Sequence, residues 1–341
     1  MNIYREILEN IKSNQCTAIQ TTIRGNGGLI SEDLTRTVIP AEPVTDEKGR
    51  RSAGVTAVPD GDKLIITEPI LPQERLIILG GGHIAVPLSQ FAAECGFTVC
   101  LADDRAEFAN HQRFPAAKTI ICSSFENAIS EFSITPFDYV VIITRGHRSD
   151  ADCLRQILPG VQPAYLGMIG SRRRVKAQLE LLAEEGYDQE KLKHICTPIG
   201  LKIGAVTPAE IAISIMAEVI AYRRLSEFGS ENRFCSDSDV ELSVLEYLAG
   251  NTDQKAIVTV IETKGSSPRG AGAKMAVSPL GKVTGSIGGG CSEAAVIRDA
   301  VAIIGTGRYK LKEIDMTGDV AENDGMVCGG IMSVLIEDSV R

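Results

Sequence analysis

The chain has 341 residues, 44% apolar and 23% charged, enough for two or three domains with sizeable cores. Its 35 basic and 44 acidic side chains leave a formal net charge of −9, which argues against general nucleic-acid binding, because a phosphate backbone needs a basic face. No apolar run approaches the roughly 18 residues of a membrane span, the charged start MNIYREILENIKSN is no signal peptide, and nine cysteines, an odd count, read as reduced thiols of a cytoplasmic protein.

In chain order, Ile3, Ile7, Leu8 and Ile11 share one face of a short amphipathic helix over 3–12. Residues 17–23 alternate like a strand. Residues 24–62 are rich in Gly, Pro and charge and predict loop with one weak hairpin. Residues 64–67 are another strand, closed by Glu68-Pro69.

RLIILGGGHIAVPLSQFAAECGFTVCLADD, Arg75 to Asp104, reads as strand, glycine turn, helix, strand. Gly80, Gly82 and Ala85 fit G-x-G-x-x-[G/A], and Asp103 ends the second strand, so the βαβ fingerprint has its context. Further strands at 119–122, 139–144 and 164–169 predict a parallel sheet. A helix follows over 172–185. Thr207-Pro208-Ala209-Glu210 is a capping box opening a helix to about Arg224, apolar on most sides and expected in the core.

After a polar linker comes a third region: a helix over 239–249, a strand over 256–262, a hairpin across Pro279-Leu280-Gly281, another helix and a last strand over 331–336. YREILENIKSNQCTAIQTTI near the start and LSVLEYLAGNTDQKAIVTVI here are both helix, loop, strand. The N-terminal piece therefore reads either as an eroded copy of the C-terminal one or as a convergent pattern. The expected fold class is α/β, a Rossmann-like parallel-sheet domain with a separate smaller α+β domain. The boundaries are 1–70, 71–228, a linker at 229–238, and 239–341.

Several residues could carry chemistry. Gly80, Gly81 and Gly82 would let a phosphate approach the helix start, with His83 beside it and Asp103 on a ribose hydroxyl; a glycine turn kept only for strand-helix packing, with a plain surface histidine after it, is the alternative. Ser171 is a suitable N-cap for the helix at 172. Arg172, Arg173 and Arg174 in its first turn oppose the helix dipole, which suggests a bound anion; a solvated face paired with Glu180 or Glu184 is the alternative. Arg145, His147, Asp150 and Asp152 form either a proton or metal site or an ordinary polar loop. In GSIGGGCSE, the loop Gly288-Gly289-Gly290 delivers Cys291 to a helix start, which favours thiolate, with Glu293 nearby. Cys328-Gly329-Gly330 and Gly265-Ser266-Ser267 are two further small-residue loops, and the three together suggest a ligand that the backbone approaches closely; turn glycines with two buried structural cysteines are the alternative. Zinc is not expected, since no C-x-x-C or His pair accompanies them.

These motifs resemble the XdhC/CoxI family of molybdenum hydroxylase accessory proteins. The resemblance runs from about Pro69 onward and is carried by GGGHIAVPLSQ, LADDRAEFAN with RFP, TRGHRSDADCL, YLGMIGSRRR, PIGLKIGAVTPAEIAISIMAEVIA, GSSPRGAGAKM, GSIGGGCSE and CGG. It implies a chaperone that binds a molybdopterin-type molybdenum cofactor, in some systems its dinucleotide form. A cysteine desulfurase would supply the terminal sulfur, and the loaded cofactor would pass to a hydroxylase. The family's paired cysteine motifs fall on Cys291 and Cys328, with Cys291 a molybdenum contact and Glu293 beside it. This chain departs from the family's usual order, because the cysteine-bearing domain follows the Rossmann domain. That order suits a homodimer in which Cys291 faces the partner's crevice. The alternatives are an NAD(P)-dependent oxidoreductase of a small substrate and a protein-interaction scaffold.

Overall fold

The computed structural model describes residues 2–41, 44–45, 51–225, 234–236, 238–316 and 330–339. They form two compact units. The described residues of 1–44, 52–72 and 236–341 make the first, and those of 45–51 and 73–235 the second. Among the described residues no helix is long and apolar enough to cross a membrane.

The first unit opens with α1 (Ile3–Lys12), whose start is capped by the Asn2 side chain accepting the Tyr4 amide and whose inner face buries Tyr4, Ile7 and Ile11. Strands β1 (Thr17–Arg24), β2 (Gly27–Leu29), β3 (Leu34–Pro40), β4 (Thr56–Asp60) and β5 (Lys63–Ile70) follow. Four of them form an antiparallel sheet in the order β3-β1-β5-β4. The region expected to be mostly loop therefore contains β2, β3 and β4. β4 forms a tight hairpin with β5 and β3 pairs back on β1, while β2 pairs with a strand near residue 309, which local composition does not reveal.

The second unit comprises β6 (Arg75–Leu79), α2 (Ala85–Glu94), β7 (Thr98–Asp103), β8 (Thr119–Cys122), α3 (Phe125–Phe132), β9 (Asp138–Ile142), α4 (His147–Ile157), β10 (Tyr165–Met168), α5 (Arg172–Glu184), α6 (Gln189–Lys193) and α7 (Pro208–Arg224). The sheet is wholly parallel, in the order β8-β7-β6-β9-β10. Helices cover both faces. Leu76 and Ile78 join one apolar cluster with residues of α2 and α7, while Ile77 and Leu79 join another with residues of α3, α4 and α5. Each such side chain stabilises the unit by about 2 kcal/mol.

α7 has the expected capping box, with Thr207 and Glu210 bonded reciprocally and Pro208 in the first turn. It buries Ala212, Ile215, Met216 and Val219, but Ile213 is 48% exposed and Ile220 38%. The expectation of burial on most sides is corrected. A helix laid on a sheet buries one stripe and leaves the opposite face to solvent.

The chain then returns to the first unit with α8 (Leu242–Gly250), β11 (Ala256–Lys264), β12 (Lys274–Val277), β13 (Val283–Gly285), α9 (Gly290–Ile303), β14 (Arg308–Asp315) and β15 (Ile331–Asp338). They form an antiparallel sheet in the order β13-β12-β11-β15-β14-β2. The N-terminal β2 is its edge strand. The separate N- and C-terminal domains expected from sequence are thus parts of one discontinuous unit.

Its two ends repeat one layout. α1 leads into β1, which lies between β3 and β5; α8 leads into β11, which lies between β12 and β15. Thr21 faces Arg36 as Thr259 faces Lys274, and Ile19 faces Glu68 as Ile257 faces Glu337. The ion pairs then cross between the ends. Buried Lys274 binds buried Glu68 and donates to Thr259 Oγ1 at 2.9 Å. Arg36 binds Glu337 at 2.5 Å and donates to Thr21 Oγ1 at 3.2 Å. Ile7, Ile11, Ile19, Leu245, Leu248 and Ile257 share one apolar cluster.

Candidate functional site

In the parallel sheet the first strand is central, and the chain runs outward on one side of it before returning to the other. The connections after β6 and β9 diverge, which opens a crevice at their C-terminal ends. Gly80 has φ +115°, and a Cβ there would lie 2.5 Å from the Ile143 carbonyl oxygen; one on Gly81 would lie 2.3 Å from that of Phe108. Packing inside the unit therefore demands both glycines. Gly82 is different, because a Cβ there would meet nothing within 4 Å. His83 is exposed and makes no hydrogen bond or ion pair among the described residues.

Asp103 does not have the role expected of it. It is 1% exposed. Oδ2 accepts the Gly81 amide at 2.8 Å and Arg105 Nη2 at 2.9 Å, while Oδ1 accepts the Arg105 amide at 3.1 Å and Nε at 2.8 Å. Burial opposes its charge, but these donors outweigh burial and hold the carboxyl below the usual carboxylate range. It organises the glycine turn instead of offering itself to a ribose. Arg113 Nε pins the same turn from the other side, donating to the Gly81 carbonyl at 3.2 Å. The Arg105 guanidinium lies 3.7 Å above the Phe108 ring. Neither arginine was assigned a role from the sequence, although both lie in motifs that carry the family resemblance, Arg105 in LADDRAEFAN and Arg113 in RFP.

Across the crevice, Thr144 Oγ1 donates to buried Asp150 at 2.6 Å. Arg145, 60% exposed, pairs with Asp104 at 3.1 Å, and Asp152 pairs with Arg155. The His147 side chain lies outside the described residues. Among the described residues no group of three or more His, Cys, Asp or Glu could hold a metal. On the same sheet edge, Ser171 occupies the N-cap of α5, yet its side chain makes no capping bond. Arg172, Arg173 and Arg174 are exposed and make no ion pair among the described residues; the alternative pairing partner Glu180 is taken by Lys176.

In the first unit the Gly265 and Gly288 loops and Gly330, the one described residue of the third loop, come together. A Cβ on Gly330 would lie 2.3 Å from the Ser266 carbonyl oxygen, and one on Gly288 would lie 2.3 Å from the Pro268 ring. The Gly265–Arg269 loop thus packs closely against Gly288 and Gly330. Ser267 Oγ donates to the Arg269 carbonyl, and the Arg269 side chain pairs with Asp239 and Glu241. Glu293, expected beside Cys291, is bound by its own loop. Its Oε1 accepts Ser286 Oγ at 2.6 Å and the Ile287 and Gly289 amides at 2.9 Å. The amide of Gly289, expected to face a ligand, is therefore engaged with the chain's own carboxylate. Gly290 and Cys291 are the first two residues of α9. The Cys291 side chain and the whole of Cys328 lie outside the described residues. A cavity of about 910 Å³ elsewhere in this unit is lined by Tyr4, Arg36, Lys255 and Glu337 among others. Its cations are already bound within the chain.

Residues 76–219 match the XdhC Rossmann domain, and residues 249–315 match the XdhC and CoxI family. The uncharacterized protein YqeB of Escherichia coli (strain K12) is 37% identical over 148 residues, 43% of this chain and 27% of that protein. A Bacillus subtilis (strain 168) protein described as a probable xanthine dehydrogenase subunit is 33% identical over 187 residues, 54% of each chain. The chain therefore spans about a quarter of one curated relative and about half of the other. A solved structure described as a xanthine dehydrogenase from Bacillus halodurans is 26% identical, with a TM-score of 0.50, covering 65% of this chain and 64% of that one. With a Rossmann domain of this family followed by its second characteristic domain, each carrying the glycine loops described above, the chain belongs to the XdhC and CoxI family.

Proposed function

We propose that the protein is an accessory factor for molybdenum hydroxylases of the xanthine dehydrogenase type, which binds the molybdopterin-type cofactor, supports its sulfuration and delivers it to the apoenzyme. The observation that carries this reading is the exposed Arg172–Arg174 turn, without an ion pair among the described residues, at a helix start where uncompensated cations are unfavourable. It shares a sheet edge with open Gly82, two strand spacings away, on the order of 10 Å. Such an edge fits the anionic phosphate or pyrophosphate end of the cofactor. Two relatives carry xanthine dehydrogenase in their descriptions, which directs the reading to that class of client.

In this reading Gly80 to Gly82 set the backbone, and His83, Ser171, Arg172 and Arg173 hold the phosphate end. The bound cofactor would supply the molybdenum centre of the client. The Gly265–Ser267 and Gly288–Gly290 loops present Cys291. With Cys328, it is assigned to the sulfur in transit or to molybdenum contact. The protein works in the cytoplasm as a homodimer, with a cysteine desulfurase and the hydroxylase as partners. The NAD(P) oxidoreductase alternative loses its expected ribose acceptor, because every acceptor position of Asp103 is filled.

Titration of molybdopterin tests the reading. Arg172→Ala combined with Arg173→Ala should weaken binding at least about tenfold. Cys291→Ala should leave binding intact and lower activation of the hydroxylase. Unchanged binding by the arginine variant would sink the crevice assignment, and equal activation by the cysteine variant would sink the role of the thiol.

A further inference from the structure

We infer that Arg105 is a selectivity element of the crevice, which shuts out ligands that present a free ribose diol to the end of β7. The inference rests on the reading above, that the crevice takes a phosphate-bearing ligand, and it names a class of ligand the crevice refuses.

In a doubly wound nucleotide site, the acid that ends the second strand accepts the ribose hydroxyls, so a diol is recognised only if that carboxylate has a free acceptor position. An ionised carboxylate offers about four lone-pair positions. At Asp103 all four are filled, one by the Gly81 amide and three by Arg105, through its amide, Nε and Nη2. The two side-chain bonds are parallel and charge-assisted, and their acceptor carboxylate is buried, the kind least readily exchanged for a neutral hydroxyl. The guanidinium cannot swing away freely either, because its plane rests on the Phe108 ring. Asp104, the next acid, is bridged by Arg145 from the far side of the crevice and lies 3.6 Å from Arg105 Nε. The refusal therefore rests on Asp103, the acid that ends the strand, while Asp104 is an exposed ion-pair partner.

The same geometry tells how to open the site. Removing the Arg105 side chain leaves Asp103 with the Gly81 and Arg105 amides and vacates one position on each oxygen. A ribose diol supplies two hydroxyl donors for those positions. NADH, whose binding is read by its own fluorescence, is the probe, with inorganic pyrophosphate as the control that lacks a ribose.

The full-length chain, Arg105→Ala and Arg105→Lys are titrated with both compounds, and each variant is first checked by thermal melting. Arg105→Lys keeps the charge and loses the fork, so it covers the case in which Arg105→Ala fails to fold. The expected result is NADH binding at least about tenfold tighter to a folded variant than to the wild type, with pyrophosphate binding unchanged. NADH binding to the wild type as tight as to the variants overturns the selectivity role. So does NADH bound by none of them while pyrophosphate binds all. Pyrophosphate bound by no form overturns the crevice reading itself and the selectivity with it.

Discussion

Two carboxylates that the sequence marks as functional are occupied in the structure by their own chain. Glu293 is held below the usual carboxylate range: burial opposes its charge, but Ser286 Oγ and the Gly289, Ile287 and Gly288 amides overcome it. Because its folded pKa is depressed, its contribution to stability is full above the unfolded carboxylate range and is lost as pH falls through the folded value. Glu293→Gln should therefore lower stability by about 1 to 2 kcal/mol near neutrality. The gap in melting temperature from the wild type should close on acidification, a trend that melts across the acidic range would reveal or refute. Asp103→Asn should loosen the glycine turn likewise, seen as faster amide exchange at Gly81. The sequence marked both loops as candidate sites. It could not show that their donors point inward, since a glycine loop before a helix reads the same whether it cradles a phosphate or a side chain.

At the scale of elements, the crossing ion pairs of the first unit make a sharp test. Lys274 and Glu68 are both buried, so Lys274→Met leaves an uncompensated carboxylate and should cost about 3 to 5 kcal/mol, while Lys274→Met with Glu68→Leu should recover most of it. Denaturant unfolding of the two variants measures this directly, and equal losses would mean that the pair is not coupled. The Arg36–Glu337 pair, its positional counterpart, should behave in parallel with a smaller loss because Arg36 is less buried. On α7, Ile213→Ala should change stability by less than about 0.5 kcal/mol and Ile215→Ala by about 2 to 5. Heat or urea denaturation distinguishes them, since Ile213 faces solvent and Ile215 the core. The helix itself was legible from its capping box and periodicity. Its open face was not, because apolar residues all round a helix do not show which stripe finds a partner.

For the whole molecule, the apolar clusters divide cleanly between the units. Among the described residues, the two clusters of the parallel sheet draw on residues 76–222 and include none from the first unit, and the remaining three include none from the second. Val141→Ala should therefore destabilise the parallel-sheet unit, and Val258→Ala the antiparallel one, each by about 1 kcal/mol or more. Hydrogen exchange read separately over the two units checks this, and equal loss of protection in both from either change would show that they unfold as one.

What the sequence determined by itself was local: the βαβ fingerprint, the alternating strands and helices of the parallel sheet, the capping box at Thr207, the glycine loops and the ordered motifs of the family. These depend on spacing within a few turns or strands, where backbone preference and apolar periodicity act directly. What only the tertiary structure decided was partnership. Lys274 finds Glu68 from 206 positions away, β2 closes the edge of a C-terminal sheet, and Asp103 and Glu293 spend their acceptors on their own turns. Such choices depend on which donors packing brings within about 3 Å, and no local pattern carries that information.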